Sequence, residues 1–176
     1  MGLHCLKAAH CVMPYSSEIR PMSKRKAGKP VTLSPARYVA TRARELPLYK
    51  CLLNEDWKEK GMAFILVMRR HKTGNVTSGL FLVDLFALGV KDTYYRFNVS
   101  EAEATEMMDN MSMTFSEADY VLVHNIIYGA LAFAEEHGFK PHRDFALTVN
   151  ILEEDTEDIP LMDIEFGMDG QPVFIG

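Results

Sequence analysis

The chain has 176 residues, of which 48% are hydrophobic and three are cysteines, and its formal net charge is −5. This length fits one domain with a sizeable core, and no apolar run reaches the roughly 18 residues that a membrane-spanning helix needs. Three scattered cysteines are too few for a disulfide framework, so we expect a cytoplasmic protein with reduced thiols and no membrane partner.

Charge is distributed unevenly, with a basic N-terminal region followed by an acidic remainder. Residues 1–44 carry a net charge of +8 and residues 45–176 a net charge of −13. Because residues 1–33 are rich in Pro, Ser, Lys and Gly, they predict a disordered basic arm, separate from a single domain over residues 34–176. Residues 1–21 are interpreted as extra residues before a natural start at Met22, with a start at Met1 as the alternative.

The basic arm predicts a partner with negative charge. Lysine and arginine side chains neutralise the phosphates of nucleic acid, and they also bind acidic protein surfaces. The predicted contact residues are Lys24, Arg25, Lys26, Lys29, Arg37 and Arg42. Two alternatives remain open: the arm folds back onto the acidic loop "EEDTED" of residues 153–158, or it serves only as a soluble tail.

The first elements of the domain are a short helix and a strand. Ser34 followed by Pro35 predicts a helix start, with an N-cap residue and a proline at the first helical position. This helix should end before Pro47, because proline cannot continue a helix. The apolar segment "LPLYKCLLN" that follows predicts a strand.

A hairpin and a third strand come next. Two apolar runs, "MAFILVMRR" and "GLFLVDLFALG", flank Gly74-Asn75 and predict an antiparallel hairpin. Centring the turn on these two residues pairs Ile65 with Asp84. The segment "TYYRFNV" then predicts the third strand of a meander.

Two further helices and a closing strand pair complete the domain. Ser100 and Glu103 form a capping box for a short helix, and a long helix is predicted from about residue 117 to residue 137, ending at Gly138. Its apolar stripe, at helical spacing, comprises Val123, Ile126, Ile127, Ala130, Leu131 and Ala134. The segment "LMDIEF" predicts a strand, followed by a turn at residues 168–171 and a short last strand. Together the elements predict an α+β fold, with an antiparallel sheet of about four or five strands packed against one long and two shorter helices.

Residues 89–93, "GVKDT", raise the question of an anion-binding loop. A phosphate-binding loop needs several glycines and a following helix, so that backbone N–H groups converge on one anion. Here Gly89 is the only glycine, Lys91 is followed by an acid, and the next element is a predicted strand. The sequence therefore favours a simple corner between two strands.

Asp84, Asp92 and His124 are the candidate catalytic residues. Asp84 lies within an apolar strand pattern that looks buried on both faces, so its carboxyl group must be protonated, paired, or at the mouth of a pocket. Pairing with an arginine or a backbone N–H group is the commoner outcome. A hydrolase-like pocket formed by the three residues is the alternative, and Cys51 is a weaker candidate nucleophile.

No motif predicts a cofactor or a metal. The pairs His4-Cys5 and His10-Cys11 lack the spacing of a zinc site, and residues 153–158 lack the glycine and the alternation of a calcium loop. Because no complete catalytic motif is present, we expect a binding module that uses the basic arm, with the hydrolase-like enzyme as the alternative.

Four segments carry a resemblance to known proteins: "LPLYKCLLNEDW", "LVDLFALGVKDTYYRFN", "VHNIIYGALAFAEEHGFKPHRDF" and "LEEDTEDIPLMDIEFGMDGQP". Over about residues 30–174 the chain resembles a family of small, uncharacterised bacterial proteins, found notably in Bacteroidetes. The resemblance implies a cytosolic protein with one folding unit, and it implies no catalytic residue. It also implies that members continue beyond the last predicted strand.

Overall fold

A five-stranded antiparallel sheet forms the centre of the computed structural model, which describes residues 33–174. The strands are β1 (Leu48–Asn54), β2 (Met62–Arg70), β3 (Val76–Asp84), β4 (Gly89–Val99) and β5 (Phe115–Glu117). Their order in the sheet is β4-β3-β2-β1-β5. The predicted basic arm, up to residue 32, lies outside the described residues together with four of its predicted contact residues, Lys24, Arg25, Lys26 and Lys29.

The helices confirm the predicted α+β class. They are α1 (Pro35–Arg42), α2 (Trp57–Lys60), α3 (Glu101–Asp109), α4 (Tyr120–Glu136) and α5 (Phe145–Thr148), with 3-10 turns at Ala43–Glu45 and Val149–Ile151. The long helix and the two shorter ones, α1 and α3, were predicted. The one-turn helices α2 and α5 were not, because four residues carry no periodic pattern.

The main core lies between the sheet and α4. Alternate strand residues such as Ile65, Val67 and Phe81 point to this side and are buried. The predicted apolar stripe of α4 faces them, with Leu131 only partly buried and the other five residues fully buried. Packing against the sheet, rather than helix propensity, therefore stabilises α4.

The opposite face of the sheet is covered in part by α3. Ala104 and Met108 pack on Leu66 and Met68 of β2. The helix is held in place by Glu101, whose carboxylate accepts hydrogen bonds from the Tyr49 hydroxyl at 2.9 Å and the Lys50 ammonium at 2.5 Å. The bond from Lys50, followed by that from Tyr49, lowers the pKa of the Glu101 carboxyl group.

The predicted hairpin is present, but its predicted register was wrong. β2 and β3 pair with Met62 opposite Asp84 and Ile65 opposite Phe81. The loop has five residues, 71–75, and closes on itself through a hydrogen bond from the His71 N–H to the Asn75 carbonyl at 2.8 Å. A two-residue turn centred on Gly74-Asn75 would have shifted the pairing by three residues. The order Asn-Gly, not Gly-Asn, is the one that favours the commonest two-residue hairpin turn.

The predicted corner at residues 89–93 was also wrong. The chain turns earlier, at residues 85–88, and Gly89 is already the first residue of β4. Gly89 has φ +63°, and a Cβ atom there would lie 2.9 Å from the Ala130 carbonyl oxygen and from the Ala134 side chain. Glycine is therefore required at this position for the close approach of β4 to α4. Lys91 forms a bulge, because Val83 pairs with Val90 while Leu82 pairs with Asp92.

Two other boundaries differ from the prediction. α4 begins at Tyr120, not near residue 117, because residues 115–117 pair with β1 as β5 and the Asp119 side chain caps the helix by accepting from the Val121 N–H at 2.7 Å. The segment "LMDIEF" forms no strand; within the described residues after 160, an isolated bridge between Met168 and Gln171 closes the predicted turn.

Candidate binding site at the sheet edge

Asp84 acts in the structure as a turn cap. Its Oδ1 atom accepts hydrogen bonds from the backbone N–H groups of Phe86 at 2.9 Å and Ala87 at 3.2 Å. The residue is only partly buried, as are Leu80 and Leu82 on the same strand face. The expectation that both faces of this strand are fully buried was therefore wrong, and the backbone N–H groups pair the carboxylate at the turn.

His124 is buried in α4 between two tyrosines. Its ring centroid lies 4.4 Å from that of Tyr128 and 5.8 Å from that of Tyr120, and the residue is 2% exposed. Its Nε2 atom has no hydrogen-bond partner among the described residues. Burial lowers the pKa of the imidazole, and the negative charge of Asp155 offsets only part of this effect.

The three candidate catalytic residues do not converge. Asp92 is exposed on β4, and its carboxylate lies 3.8 Å from the Nδ1 atom of the His142 ring. Asp84 pairs with Gly89, which contacts Ala130 of α4. His124 precedes Ala130 by six residues, which corresponds to about 9 Å along the helix axis.

Cys51 is protected from chemistry by its position. The thiol is buried on β1, and this burial, followed by the negative charge of Asp119, raises its pKa to about 12. Because a thiolate is the reactive form of cysteine, this side chain is inert at neutral pH in the folded protein.

Arg37 and Arg42, the predicted contact residues that lie on α1, differ in how far they are neutralised within the chain. Arg37 is exposed, but the Arg42 guanidinium forms a 3.1 Å ion pair with Glu45. Arg44, at the end of the same segment, donates to the Leu152 carbonyl at 2.7 Å and pairs with Glu154. Arg44 therefore holds the acidic loop that follows residue 152 against the body of the protein.

Sequence analysis missed the buried Arg69, which is the most extensively hydrogen-bonded cation of the described domain. It is 1% exposed, and it donates to the backbone carbonyls of Ile151 and Leu46, each at 2.6 Å. It also donates to the Arg44 carbonyl at 3.2 Å and to the Glu153 carboxylate at 2.7 Å. The only signal in the sequence is a charge at the end of the apolar run "MAFILVMRR", where a solvated strand end is the ordinary expectation.

The outer strand β4 forms the longer of the two outer edges of the sheet. β4 and β5 are the two outer strands, and β4 has eleven residues whereas β5 has three. An outer strand presents unpaired backbone N–H and C=O groups to any chain that approaches it. Near the start of β4 one backbone group on this edge already has a partner, because the His142 N–H donates to the Val90 carbonyl at 2.9 Å. The stretch from residue 92 to residue 97 follows this contact.

An aromatic groove of about 600 Å³ runs beside this stretch of β4. It is lined by Pro35, Thr93, Tyr94, Tyr95, Phe97, Asp144, Leu147 and Thr148. The groove wall is fixed from behind, since the Phe97 ring packs 4.9 Å from the Tyr38 ring and the hydroxyls of Thr93 and Thr148 lie 2.9 Å apart. Partly exposed aromatic side chains next to a strand edge can hold the side chains of an added strand.

A second groove of similar volume, about 590 Å³, lies between α2 and residues 163–167. It borders no unpaired strand, so it lacks backbone groups arranged for a ladder. Among residues 33–174, no cluster of three His, Cys, Asp or Glu side chains could hold a metal ion. None of the helices in this part of the chain has the length and apolarity to cross a bilayer.

Comparison of the chain with protein-family models, with curated proteins and with solved structures gives no match. The resemblance to small bacterial proteins therefore stays a prediction. The function of this chain is therefore inferred from the geometry of its own residues. The β4 edge and the aromatic groove beside it together form the surface best suited to binding.

Proposed function

We propose that this protein is a binding module that takes an extended segment of a partner protein along β4. The observation that carries the proposal is the stretch of β4 at residues 92–97, which pairs on its outer side with no other strand of residues 33–174 and lies next to the aromatic groove. In strand addition, backbone hydrogen bonds supply affinity and pockets for alternate side chains supply specificity. The outer edge of β4 supports the first component, and the aromatic groove beside it supports the second.

The hydrolase-like alternative has less support. It requires a nucleophile or a base within hydrogen-bond reach of an orienting group. The Asp84 carboxylate at the end of β3 accepts hydrogen bonds from backbone N–H groups, Asp92 lies on the neighbouring strand β4, and His124 is buried in α4. The Cys51 thiol is buried and protonated at neutral pH.

The experiment screens an array of random twelve-residue peptides for binding, and then titrates the best binder into the ¹⁵N-labelled full-length chain. We expect the largest amide shifts at residues 92–97 and in α5. Leu147→Glu, which puts a charge into the groove, should abolish the binding. The matched control is Leu161→Glu, because Leu161 is 92% exposed and does not line the groove.

Nucleic acid is the competing partner class, through Lys24, Arg25, Lys26, Lys29, Arg37 and Arg42. Duplex DNA and RNA are titrated in parallel at low salt. Tight, salt-dependent binding that is lost when these six residues are neutralised, together with no peptide binding, would replace the strand-addition proposal by a nucleic-acid one. Peptide shifts that lie away from β4 would also overturn it.

A further inference from the structure

The side chains of β4 are arranged so that the strand is complementary to itself. Asp92, Tyr94 and Arg96 lie on one face, opposite Leu82, Leu80 and Ser78 of β3. On this face of the outer strand, the three side chains follow one another at every second residue as an acid, an aromatic ring and a base, with the Arg96 Nε atom donating to the Tyr94 hydroxyl at 3.1 Å. A second antiparallel copy of the strand presents the same three groups in reverse order.

Two-fold symmetry restricts how two copies of β4 can pair. In an antiparallel pair, two side chains that lie opposite each other are on the same face of the sheet. Because neighbouring residues of one strand point to opposite faces, the two-fold axis must place one residue opposite its own copy and cannot fall between two residues. An axis at Thr93 would place Asp92 opposite a tyrosine, and an axis at Tyr95 would place Tyr94 opposite an arginine. An axis at Tyr94 places Asp92 opposite Arg96 of the partner subunit, and does so twice.

Asp92 and Arg96 cannot form an ion pair with each other within one chain. Asp92 and Arg96 are four residues apart on the same strand, a separation of about 13 Å. The Asp92 side chain is 68% exposed, and the Arg96 side chain is 34% exposed, with its guanidinium 3.6 Å from Glu106. Both groups are therefore accessible to a neighbouring chain.

The central pair and the opposite face also fit this register. Tyr94 would lie opposite Tyr94 of the partner subunit, and aromatic pairs across strands are favourable. On the groove face, Thr93 would lie opposite Tyr95 of the partner subunit, a hydroxyl against an aromatic ring. The paired stretch, residues 92–96, begins after the Val90 carbonyl that His142 occupies.

We propose that two copies of this chain pair edge to edge through β4, in the register centred on Tyr94, and that this pairing regulates the site. The inference rests on the proposed function, because the same edge serves both partners. Pairing of the copies fills the backbone groups that an extended peptide would use. The dimer is thus closed to the peptide and the monomer is open to it.

Sedimentation equilibrium of the full-length chain over a range of concentrations at low salt tests the pairing. The parent protein should form a dimer that weakens as salt is raised. Asp92→Arg and Arg96→Asp each create two like-charge contacts and should weaken dimerisation by at least about fivefold. The double variant Asp92→Arg/Arg96→Asp restores opposite charges and should restore the dimer.

Glu135→Arg is the control, because Glu135 is an exposed acid on α4 and is not part of the paired stretch. Circular dichroism of each variant establishes that it is folded. A parent protein that stays monomeric, single variants that dimerise as well as the parent, or a double variant that stays monomeric would each overturn the inference. An equal loss for Glu135→Arg would attribute the effect to net charge and overturn it as well.

Peptide binding separates this inference from the proposed function. The parent protein should bind the peptide found with the array more tightly at concentrations where it is monomeric than at concentrations where it is dimeric, because a second copy competes for the same edge. If dimerisation is lost in the single variants and restored in the double variant but no peptide binds, only the proposed function is overturned. Peptide binding on β4 by a protein that is monomeric at every concentration would overturn the inference alone.

Discussion

Replacing Arg69 with methionine should strongly destabilise this fold. The guanidinium is buried, and it donates to the backbone carbonyls of Leu46, Arg44 and Ile151 and to the carboxylate of Glu153. Methionine preserves the unbranched shape of the side chain but offers no donor. Arg69→Met therefore leaves three carbonyl groups without their donor in the interior of the protein.

The expected loss follows from these acceptors. Each buried acceptor that is left unsatisfied lowers the free energy of unfolding by about 1–3 kcal/mol. Removing the buried cation offsets part of this loss, because the desolvation of a charge opposes folding. Glu153 is partly exposed and can be hydrated. We expect a net loss of about 3–5 kcal/mol, which is a large part of the roughly 5–15 kcal/mol that stabilises a domain.

Urea unfolding followed by far-UV circular dichroism measures the loss. Arg69→Lys keeps the charge but replaces a planar fork with a single ammonium group, and it should still cost at least about 2 kcal/mol. Glu153→Gln is the control and should cost less than about 1 kcal/mol, because its charge is partly exposed. A loss below about 1 kcal/mol for Arg69→Met would refute the view that this guanidinium organises the interior.

Three further predictions test the described side chains. Asp84→Ala should cost about 1 kcal/mol by removing the acceptor of the turn, whereas Asp84→Asn, which keeps an oxygen, should cost less; equal losses would contradict the capping role. Burial lowers the imidazole pKa of His124 and His71, so the unfolded chain binds more protons below about pH 6.5 and the free energy of unfolding should fall from pH 7 to pH 5. His124→Phe should flatten this fall, and an unchanged slope would exclude His124 as its source. In a Cys5→Ser/Cys11→Ser background, Cys51 should react with a thiol reagent at pH 8 only after unfolding, so rapid reaction of the native protein would contradict its burial.

Local signals in the sequence predicted the elements of this fold well. The N-cap at Ser34, the capping box at Ser100 and Glu103, and the apolar stripe of α4 depend on neighbours within one or two turns of helix. Such patterns act through backbone hydrogen bonds close in sequence, so they can be read without knowing the tertiary structure. The α+β class followed from counting these elements.

Features that depend on distant residues could not be predicted in the same way. The register of the hairpin depends on which residues of the loop hydrogen-bond to each other. A loop of five residues is as compatible with the two apolar runs as a loop of two residues. The acceptors of Arg69 come from two segments that lie far from it in sequence. The candidate site also depends on strand order, because "TYYRFNV" becomes an edge only when β4 is known to be an outer strand.

The position of Arg69 also has a consequence for the order of folding events. β1 to β4 are neighbours both in sequence and in the sheet, so this meander closes short loops and can form early. The Ile151 carbonyl that binds Arg69 is 82 residues away along the chain. The hydrogen bonds from Arg69 to Arg44 and Leu46, which directly precede β1, can form with the meander, whereas we expect those to Ile151 and Glu153 to form only when the segment after α5 docks. Substitutions of Arg69 should therefore accelerate unfolding more than they slow folding, which makes this buried charge a determinant of the lifetime of the native state.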